Sequence, residues 1–369
     1  IINNYLEKME SHSTTTSSAR EEQEKLLDKN FTIIVNTQLG KGGFGQIYLG
    51  RNLKENKKIA IKVEEINNNN NHSHLYLEYD ILKTLQGWEG IPRVYKYRQG
   101  HKHNYLVMEL LGKSLDRLFS DCKKQFSLKT IFEIGYQLIQ RIELVHSKGY
   151  IHRDIKPGNF VIGRAENSKI IYIIDFGLSK RYLDKQTNRH IPYKEGKGLT
   201  GTARYVSLFT HCGIEQSRRD DIEGIAFNLI YFAKGKLPWQ GVKTKNKKEK
   251  HKKIMESKIY FKPKKLCQGL SSEFACLLEY ARDLEFEEKP DYKNIKSMFK
   301  NSIEELNEKM DWVFDWDLPK IDNKKEEKKL EEKSDEKKDN KKITDNDKKN
   351  NSDKNNNKNT NSDRDDKNE

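Results

Sequence analysis

Two short motifs near the middle of the chain combine an acid/base carboxylate with ligands for a metal ion. The first, His-Arg-Asp-Ile-Lys-Pro-Gly-Asn, contains Asp154, Lys156 and Asn159, and the second, Asp-Phe-Gly, begins at Asp175. Asp154 can accept the proton of an attacking hydroxyl. Asn159 and Asp175 offer the oxygen ligands that Mg²⁺ prefers, and Lys156 adds a positive charge. The motifs predict phosphoryl transfer from ATP, which depends on charge neutralisation and in-line positioning of the acceptor.

A glycine-rich segment between two predicted strands is suited to cover the phosphates of ATP. Residues 31–35 and 46–50 are rich in β-branched and aromatic residues and predict strands, so the glycines lie in a hairpin. A dinucleotide-binding glycine loop would open a helix instead. Backbone N–H groups of glycines can approach a triphosphate closely, and an ordinary flexible turn is the alternative. The candidate nucleotide-binding residues here are Leu39, Gly40, Gly42, Gly43, Phe44, Gly45 and Ile47.

A third predicted strand, residues 58–63, carries Ala60 and Lys62 on one face. A lysine at such a position requires anions. We expect Lys62 to meet the α- and β-phosphates and the carboxylate of Glu78, which lies in a segment with apolar residues at helical spacing. Glu78 as a surface residue is the alternative, but the glycine hairpin and Lys62 together favour the ion pair.

A connector between two lobes is predicted at residues 109–112, where an apolar strand runs into a glycine. The backbone of such a hinge can bind an adenine edge. Met108 then stands at the back of the adenine pocket, and a core position fits it equally well. The candidate residues of this pocket are Ala60, Met108, Glu109 and Leu111.

Two further elements are predicted to position the catalytic groups. Ser127 is a plausible N-cap for a helix that ends near Gly149 and leads into the first motif. Residues 170–174 form a short apolar strand that holds Asp175 at its end. Rigid support matters because a small misplacement at a reacting centre can cost about 100-fold in rate.

Both ends of the chain have compositions that predict disorder. Residues 1–28 include a run of serine and threonine, and residues 320–369 consist almost entirely of Asn, Lys, Asp, Glu and Ser. Neither segment can bury enough apolar surface to offset chain entropy. The folded part is therefore predicted at residues 29–319, with an N-lobe at about 31–108 and a C-lobe at about 113–319.

The positive charge of the protein lies on this central part. The first 28 residues carry a net charge of −3 and residues 320–369 carry +1, so the total of +14 leaves +16 for the centre. We expect an anionic partner, for which nucleic acid, acidic membrane and acidic or phosphorylated protein are candidates. A solvated basic surface is the alternative.

Cysteine usage and hydropathy predict the compartment. The four cysteines lack paired metal-site spacing, and we expect free buried thiols in the reducing cytoplasm or nucleus. No apolar run approaches the roughly 20 residues of a membrane span, which predicts a soluble protein, expected to be a monomer.

The motifs together resemble those of eukaryotic-type protein kinases, and Lys156 suits the serine/threonine branch. The resemblance implies an α+β, two-lobed fold: an antiparallel β-sheet N-lobe with one main helix and a mostly helical C-lobe. It also implies ATP and Mg²⁺ as cofactors, with Asp154, Lys156, Asn159, Lys62 and Glu78 as the catalytic set. Asn159 and Asp175 are the implied metal ligands.

A narrower resemblance is to the casein kinase 1 family. It covers roughly Phe31 to Pro319 and rests on these segments: Ile191-Pro192-Tyr193, residues 199–205, residues 213–221, Leu237-Pro238-Trp239-Gln240-Gly241, Lys289-Pro290-Asp291-Tyr292 and Val313-Phe314-Asp315-Trp316. As in that family, the usual kinase Ala-Pro-Glu is absent. Two positions depart from the family: Phe209, where Asn is common, and Gly158, where Asp or Glu is usual.

The resemblance implies substrates that are acidic or already phosphorylated, recognised by Arg204 and Lys250 with Lys197 nearby. A phosphoserine supplies about −2 charge and three acceptor oxygens to such a cluster. The lysines around residues 243–253 also fit a solvated helix face or a nuclear-localisation signal. Interleaved aromatic residues that would stack bases are absent from the cluster, so specific nucleic-acid binding is not expected.

The sequence therefore predicts a serine/threonine protein kinase similar to casein kinase 1. A pseudokinase acting as a scaffolding module is the alternative, and a small-molecule phosphotransferase is a third interpretation. The complete set of phosphate and metal groups argues against the pseudokinase. A small-molecule enzyme would have no use for the basic site beside Arg204.

Overall fold

Alternating apolar residues build an antiparallel sheet in the first third of the chain. The computed structural model describes residues 24–42, 45–66 and 73–318. Within them the sheet has the order β1-β2-β3-β4-β6-β5 and is accompanied by helix α1, His74–Thr84. Its strands are β1 (Glu24–Asp28), β2 (Phe31–Gly42), β3 (Gly45–Asn52), β4 (Lys57–Glu65), β5 (Val94–Gln99) and β6 (His103–Glu109).

Residues 110–318 are mainly helical. Their helices are α2 (Leu115–Asp121), α3 (Leu128–Ser147), α4 (Leu208–His211), α5 (Arg218–Lys234), α6 (Lys247–Tyr260), α7 (Pro263–Leu266), α8 (Ser272–Asp283) and α9 (Tyr292–Glu305). Four short strands support the loops: β7 (Tyr150–Ile151), β8 (Phe160–Ile162), β9 (Ile171–Ile173) and β10 (Lys180–Arg181). The predicted α+β, two-lobed architecture is confirmed.

A strand lies within the last residues of the predicted N-terminal segment 1–28. Residues 24–28 form β1, which pairs with β2 in the register Glu24↔Ile34 to Asp28↔Phe31. Leu27 is buried in a small cluster with Phe31 and Ile59, so this strand contributes apolar surface to the sheet. The remaining predictions for residues 1–23 and 319–369 lie outside the described residues. All described residues except Leu318 belong to one unit, residues 1–317.

Helix α3 forms the centre of the C-lobe core and begins and ends as its sequence predicts. The Ser127 side chain accepts a hydrogen bond from the backbone N–H of Thr130 and caps the first turn. Four apolar residues at helical spacing are at most 1% exposed: Ile131, Ile134, Leu138 and Ile142. After the helix, Gly149 adopts a φ of 81°, a left-handed conformation that reverses the chain toward β7.

Phe209, one of the two departures from the casein kinase 1 pattern, packs against a charged group. The guanidinium of Arg219 lies 3.7 Å from the centre of its ring. Such a contact is attractive because the face of an aromatic ring is electronegative. Phe209 thus has a defined place beside α5.

The predicted burial of the cysteines is only partly right. Cys267 is buried, whereas Cys212 and Cys276 are exposed. In the part of the chain that the structure describes, no helix is long and apolar enough to cross a membrane.

Candidate active site

Lys62 occupies the centre of a buried charge cluster between the sheet and the C-lobe. Its ammonium nitrogen lies 2.6 Å from Glu78 Oε2 and 2.7 Å from Asp175 Oδ1. Lys62 and Glu78 are 7% and 2% exposed, so both charges are largely removed from water. The structure therefore brings together one residue from β4, one from α1 and one from the turn after β9. The predicted pairing of Lys62 with Glu78 is present.

The charges of this cluster have different ionisation preferences. Burial alone lowers the pKa of Lys62, but the carboxylates of Glu78 and Asp175 outweigh it and the net shift is upward. Burial raises the pKa of Glu78, only partly offset by Lys62. For Asp175 the ammonium of Lys62 outweighs burial, and its pKa lies below the ordinary value. Asp175 is therefore held as a carboxylate, the form in which it binds a cation.

Asp154 is held by hydrogen bonds to both of its carboxylate oxygens. Oδ1 accepts from the backbone N–H and the hydroxyl of Thr202, at 3.0 and 2.7 Å. Oδ2 accepts from the ammonium of Lys156 at 2.6 Å and from the side-chain amide of Asn159 at 3.2 Å. These contacts fix the direction in which the carboxylate faces, which a group that accepts a proton at a defined point requires.

The side chain of Asn159 is oriented by Asp154 as well. Its amide nitrogen also donates to the backbone oxygen of Asp154, at 2.9 Å. Because the nitrogen is committed to Asp154, the amide oxygen remains as a ligand for a cation. Asn159 is only 3% exposed, which limits the positions it can adopt.

Asp221 of helix α5 holds the loop that carries Asp154 through hydrogen bonds to its backbone. Asp221 accepts hydrogen bonds from the backbone N–H groups of His152 and Arg153, at 2.7 and 2.9 Å, and from the ring of His146 at 2.9 Å. The His146 and Asp221 side chains are almost completely buried. Burial raises the pKa of Asp221, but His146 and His152 outweigh it and the net pKa is lowered. Arg153 has a left-handed φ of 67°, and in this conformation its backbone N–H still bonds the carboxylate of Asp221.

Asp175 also has a left-handed backbone, with φ 69° and ψ 66°. This conformation is unfavourable for a residue with a side chain and persists only where surrounding contacts impose it. Here the preceding strand β9 is fully or nearly buried, and the following Phe176 is completely buried. The ring of His152 bonds the backbone oxygen of Ile174 at 3.0 Å. The carboxylate is therefore presented by rigid neighbours on both sides.

The sheet face above this cluster carries the predicted nucleotide-binding residues. Strand register pairs Ile47 with Lys62 and Ala60 with Met108, and paired residues share one face of a sheet. Met108 is half-buried and packs against the main core, so both of its predicted roles are compatible with its position. Gly40 pairs with Ile47 at the hairpin.

The glycines of the hairpin differ in whether the surrounding protein leaves space for a side chain. A Cβ on Gly45 would lie 2.1 Å from the backbone oxygen of Val63, and Gly45 has a φ of 147°. The protein itself therefore demands glycine there. Among the described residues, a Cβ on Gly42 would meet nothing within 4 Å, and one on Gly40 would meet only a side-chain methyl of Ile47 at 4.0 Å. The space over Gly40 and Gly42 is thus open to a ligand. Gly43 and Phe44 lie outside the described residues.

The predicted hinge follows directly from β6. Glu109 ends this strand, and its backbone N–H donates to the backbone oxygen of Arg93 at 2.8 Å. Its carboxylate accepts from the Arg93 N–H at 3.0 Å. Leu111 is half-buried and Leu39, at the opposite end of the sheet face, is 50% exposed.

A family comparison adds to this geometry. The model of the protein kinase domain matches residues 33–301, more than half of the chain. This chain belongs to the protein kinase family. Its members use ATP to phosphorylate proteins, and the buried Lys62 cluster, the oriented Asp154 and the open glycine hairpin lie within the matched residues. Phosphoryl transfer from ATP requires groups that hold the triphosphate and direct the acceptor hydroxyl.

The donor atoms of the kinase fit a cation that arrives with its nucleotide. Among the described residues, no group of three or more His, Cys, Asp or Glu side chains could hold a metal ion by itself. Asp175 supplies a carboxylate and Asn159 an amide oxygen. Mg²⁺ is commonly bound by one or two side chains and completed by phosphate oxygens and water, so this donor set fits Mg²⁺-ATP rather than a resident metal.

A groove of about 440 Å³ adjoins the catalytic loop of the kinase. Its charged lining residues are Lys156, Arg204, Lys250 and Asp116. We call it the substrate groove. Arg204 and Lys250, which are 46 positions apart in the sequence, line it together.

Lys197 does not line the substrate groove. Its ammonium lies 3.4 Å from Glu215, which also pairs with Lys180 at 2.9 Å. Arg204 differs, because none of the described carboxylates forms an ion pair with it. Its guanidinium instead lies 5.5 Å from the centre of the Tyr205 ring. The three predicted anion-binding residues thus occupy two separate places.

Gly158 also lines the substrate groove. A Cβ there would meet only Cε of Lys156, at 3.9 Å, which is an ordinary contact. Glycine is therefore not required by the backbone at this position. The groove therefore carries no side chain at position 158.

Two residues that hold Asp154 or its loop were not predicted from the sequence. Thr202 and Asp221 both lie in segments that resembled casein kinase 1, but neither received a role. Their side chains reach the catalytic loop from 48 and 68 or 69 positions away. A threonine after a glycine and an acidic pair at a helix start are common, so the sequence carried no separate signal for these contacts.

Proposed function

We propose that this kinase transfers the γ-phosphate of Mg²⁺-ATP to serine or threonine in acidic or already phosphorylated proteins, as its resemblance to casein kinase 1 implies. One observation carries the proposal. Arg204 and Lys250 line the groove that also contains Lys156 and Thr202, two of the residues that bond the carboxylate of Asp154. An anion bound by the two cations would lie in the same groove as the acceptor hydroxyl.

Arg204 and Lys250 have the properties of an anion site. In the described part of the chain neither forms an ion pair, so their charge is available to a ligand. Arginine can bind a phosphate through two parallel N–H groups, and such charge-assisted hydrogen bonds are stronger than neutral ones. Among the described residues that line the groove, Asp116 is the only acidic one, which leaves a net positive lining.

The contacts already described support the catalytic roles that the resemblance implies. Asp154 would accept the hydroxyl proton, and Lys156 would stabilise the transferred phosphoryl charge. Lys62, held by Glu78, would position the α- and β-phosphates, and Asp175 with Asn159 would bind Mg²⁺. When bound, the cation neutralises charge that develops on the phosphate oxygens.

Lys197 is proposed to bind anionic parts of a substrate outside the groove. It is half-exposed and shares the buried Glu215 with Lys180. Two ammonium groups face one carboxylate there, so the local charge remains positive. Binding at this place would add to the anion preference without contacting the acceptor.

Two peptides that differ only in a phosphoserine upstream of the target serine test the proposal. We expect the kinase to prefer the phosphorylated peptide, measured as the ratio of kcat/KM values, and Arg204→Ala to lower this ratio about tenfold to a hundredfold. Arg189→Ala, which removes an exposed arginine outside the groove, is the matched control. An equal loss on both peptides would mean that Arg204 has a structural role only.

The alternative, a pseudokinase that acts as a scaffold, is tested by incubating the purified protein with labelled ATP, Mg²⁺ and casein. We expect incorporation of label. The ionised Asp175 and the doubly held Asp154 support catalysis, since a scaffold needs neither. Absence of label under conditions where ATP binds would favour the scaffold.

We further propose a monomer of the cytoplasm or nucleus without specific affinity for nucleic acid. The lysines of α6 would then give only salt-dependent, non-specific binding to polyanions.

A further inference from the structure

Lys258 is a buried lysine that the catalytic arrangement does not use. It lies in α6 and is 0% exposed. Its ammonium donates hydrogen bonds to two backbone oxygens, those of Ala203 at 3.1 Å and of Val206. These two carbonyls bracket Arg204 and Tyr205, so one side chain holds both ends of the segment that carries the groove arginine.

The third side of the ammonium is covered by aromatic rings. The nitrogen lies 4.7 Å from the centre of the Phe227 ring and 5.3 Å from that of Trp239. Two carbonyl oxygens and two ring faces thus replace the water that an ammonium ordinarily binds. Placing an ammonium in the core has a large desolvation cost, and it is tolerated here because these partners surround it.

Trp239 bonds a third backbone carbonyl, which lies between those of Ala203 and Val206 in the sequence. Its indole N–H donates to the backbone oxygen of Arg204 at 2.8 Å. The ring of His211 also lies within hydrogen-bond distance of the oxygen of Ala203, at 3.2 Å. Three backbone carbonyls, at positions 203, 204 and 206, are therefore bonded by side chains, and the direction of the Arg204 side chain follows from this fixed backbone.

Helix α6 provides the other cation of the groove. Lys250 and Ile254 line the substrate groove, and Lys258 lies two turns farther along the same helix. The hydrogen bonds of Lys258 consequently connect the helix that bears Lys250 with the segment that bears Arg204. A phosphate or carboxylate held by both cations requires a defined distance between them, and this connection sets it.

We propose that Lys258 is a positioning residue that, together with Trp239, fixes Arg204 relative to Lys250 and thereby determines the selectivity of the kinase for anionic substrates. The inference rests on the proposed function, because it assigns these residues to the same anion site. Neither Lys258 nor Trp239 contacts Asp154 or the Lys62 cluster. Substituting either residue is therefore expected to affect recognition of the anion and not phosphoryl transfer itself.

The surrounding charges are compatible with this role. Burial lowers the pKa of Lys258 to about 7, opposed by the carboxylate of Glu223 in α5. The guanidinium of Arg282 in α8, which pairs with Glu223 at 3.0 Å, lowers the pKa of Lys258 further. Burial lowers the pKa of His211 in α4 to about 3, so it is neutral. Either protonation state of Lys258 retains N–H groups for the two carbonyls.

The test uses the full chain and the same peptide pair, with and without the upstream phosphoserine. We expect Lys258→Met to lower the selectivity ratio for the phosphorylated peptide at least tenfold through KM, with kcat and the KM for ATP within about twofold of wild type. Trp239→Phe removes one N–H and retains most of the ring, and we expect a threefold to tenfold loss of the ratio.

Trp316→Phe is the matched control for Trp239→Phe. The indole nitrogen of Trp316 is buried and has no hydrogen-bond partner in the described part of the chain, so the same substitution removes no hydrogen bond there. We expect an unchanged ratio. Should Lys258→Met fail to fold, as judged by circular dichroism, the two tryptophan variants still decide the question.

A double variant separates positioning from general destabilisation. If Lys258 acts through Arg204, adding Lys258→Met to Arg204→Ala lowers the ratio no further. The inference is overturned if Arg204→Ala removes the selectivity while Trp239→Phe and a folded Lys258→Met retain it, in which case the proposed function stands. If Arg204→Ala leaves the selectivity intact, the anion site and the inference fail together.

Discussion

Thr202 donates both its backbone N–H and its hydroxyl to the same oxygen of Asp154, at 3.0 and 2.7 Å. This pair joins the segment that lines the substrate groove to the residue proposed to accept the substrate proton. The opposite oxygen of Asp154 is held by Lys156 and Asn159. The orientation of the carboxylate therefore depends on residues from two separate segments of the chain.

The hydroxyl of Thr202 is expected to contribute to turnover. Thr202→Val keeps the backbone hydrogen bond and the shape of the side chain but removes the hydroxyl bond to Asp154. Because small changes in orientation at a reacting centre reduce rates strongly, we expect kcat to fall about tenfold to a hundredfold. Steady-state kinetics measure this, with Thr84→Val on the surface of α1 as the control. A kcat equal to that of wild type would contradict the role of the hydroxyl.

The carboxylate of Asp154 is expected to be needed for transfer and not for ATP binding. Asp154→Asn removes the proton acceptor, and we expect kcat to fall by about 10²–10⁴ while the dissociation constant of ATP, measured by calorimetry, changes little. Asp283→Asn, at the exposed end of α8, removes an equal charge and serves as control. Near-normal turnover of Asp154→Asn would refute the assigned role.

The two glycines that pair at the hairpin are expected to respond differently to alanine. Gly45→Ala places a Cβ against the Val63 backbone oxygen, so we expect a loss of about 1–3 kcal/mol in the free energy of unfolding. The new methyl group of Gly42→Ala meets no atom of the described residues, and we expect normal stability with a raised KM for ATP if phosphates lie over it. Thermal unfolding and ATP kinetics distinguish these outcomes. Unchanged ATP kinetics in Gly42→Ala would mean that this glycine is an ordinary turn residue.

The carboxyl of Glu133 is expected to give the kinase a pH-dependent stability that is unrelated to catalysis. Glu133 is completely buried in α3, and one oxygen accepts from the backbone N–H groups of Asp311 and Trp312, both at 3.0 Å. Burial raises the pKa of Glu133 from 4.5 to about 6. A raised folded-state pKa contributes stability that is fully present below pH 4.5 and is lost as the pH rises through 6.

This contribution amounts to about 2 kcal/mol, since one pKa unit corresponds to about 1.4 kcal/mol. Denaturant unfolding of wild type and Glu133→Gln at a series of pH values isolates it. We expect the advantage of wild type over Glu133→Gln to shrink by this amount between pH 4.5 and 7.5. Glu143→Gln on the same helix controls for the loss of a carboxylate. Parallel stability curves for wild type and Glu133→Gln would show that burial does not shift this group.

Local patterns in the sequence predicted most of the elements that position the site. Alternating residues predicted β4 and the face shared by Ala60 and Lys62, and Ser127 predicted the start of α3. These signals are reliable because strand alternation and helix capping depend on neighbouring residues only. Strand β1 was not predicted, since it is short and its pairing with β2 is not encoded in its own composition.

The sequence by itself determined the chemistry of this protein: the residue types at Asp154, Asn159 and Asp175, and the segments that present them. Only the tertiary structure decided which distant groups meet. It gave Lys62 a second partner 113 positions away, separated Lys197 from the groove of Arg204, and placed Lys258 beneath that arginine. Such contacts depend on how helices and strands pack around one core, and no local pattern specifies that packing.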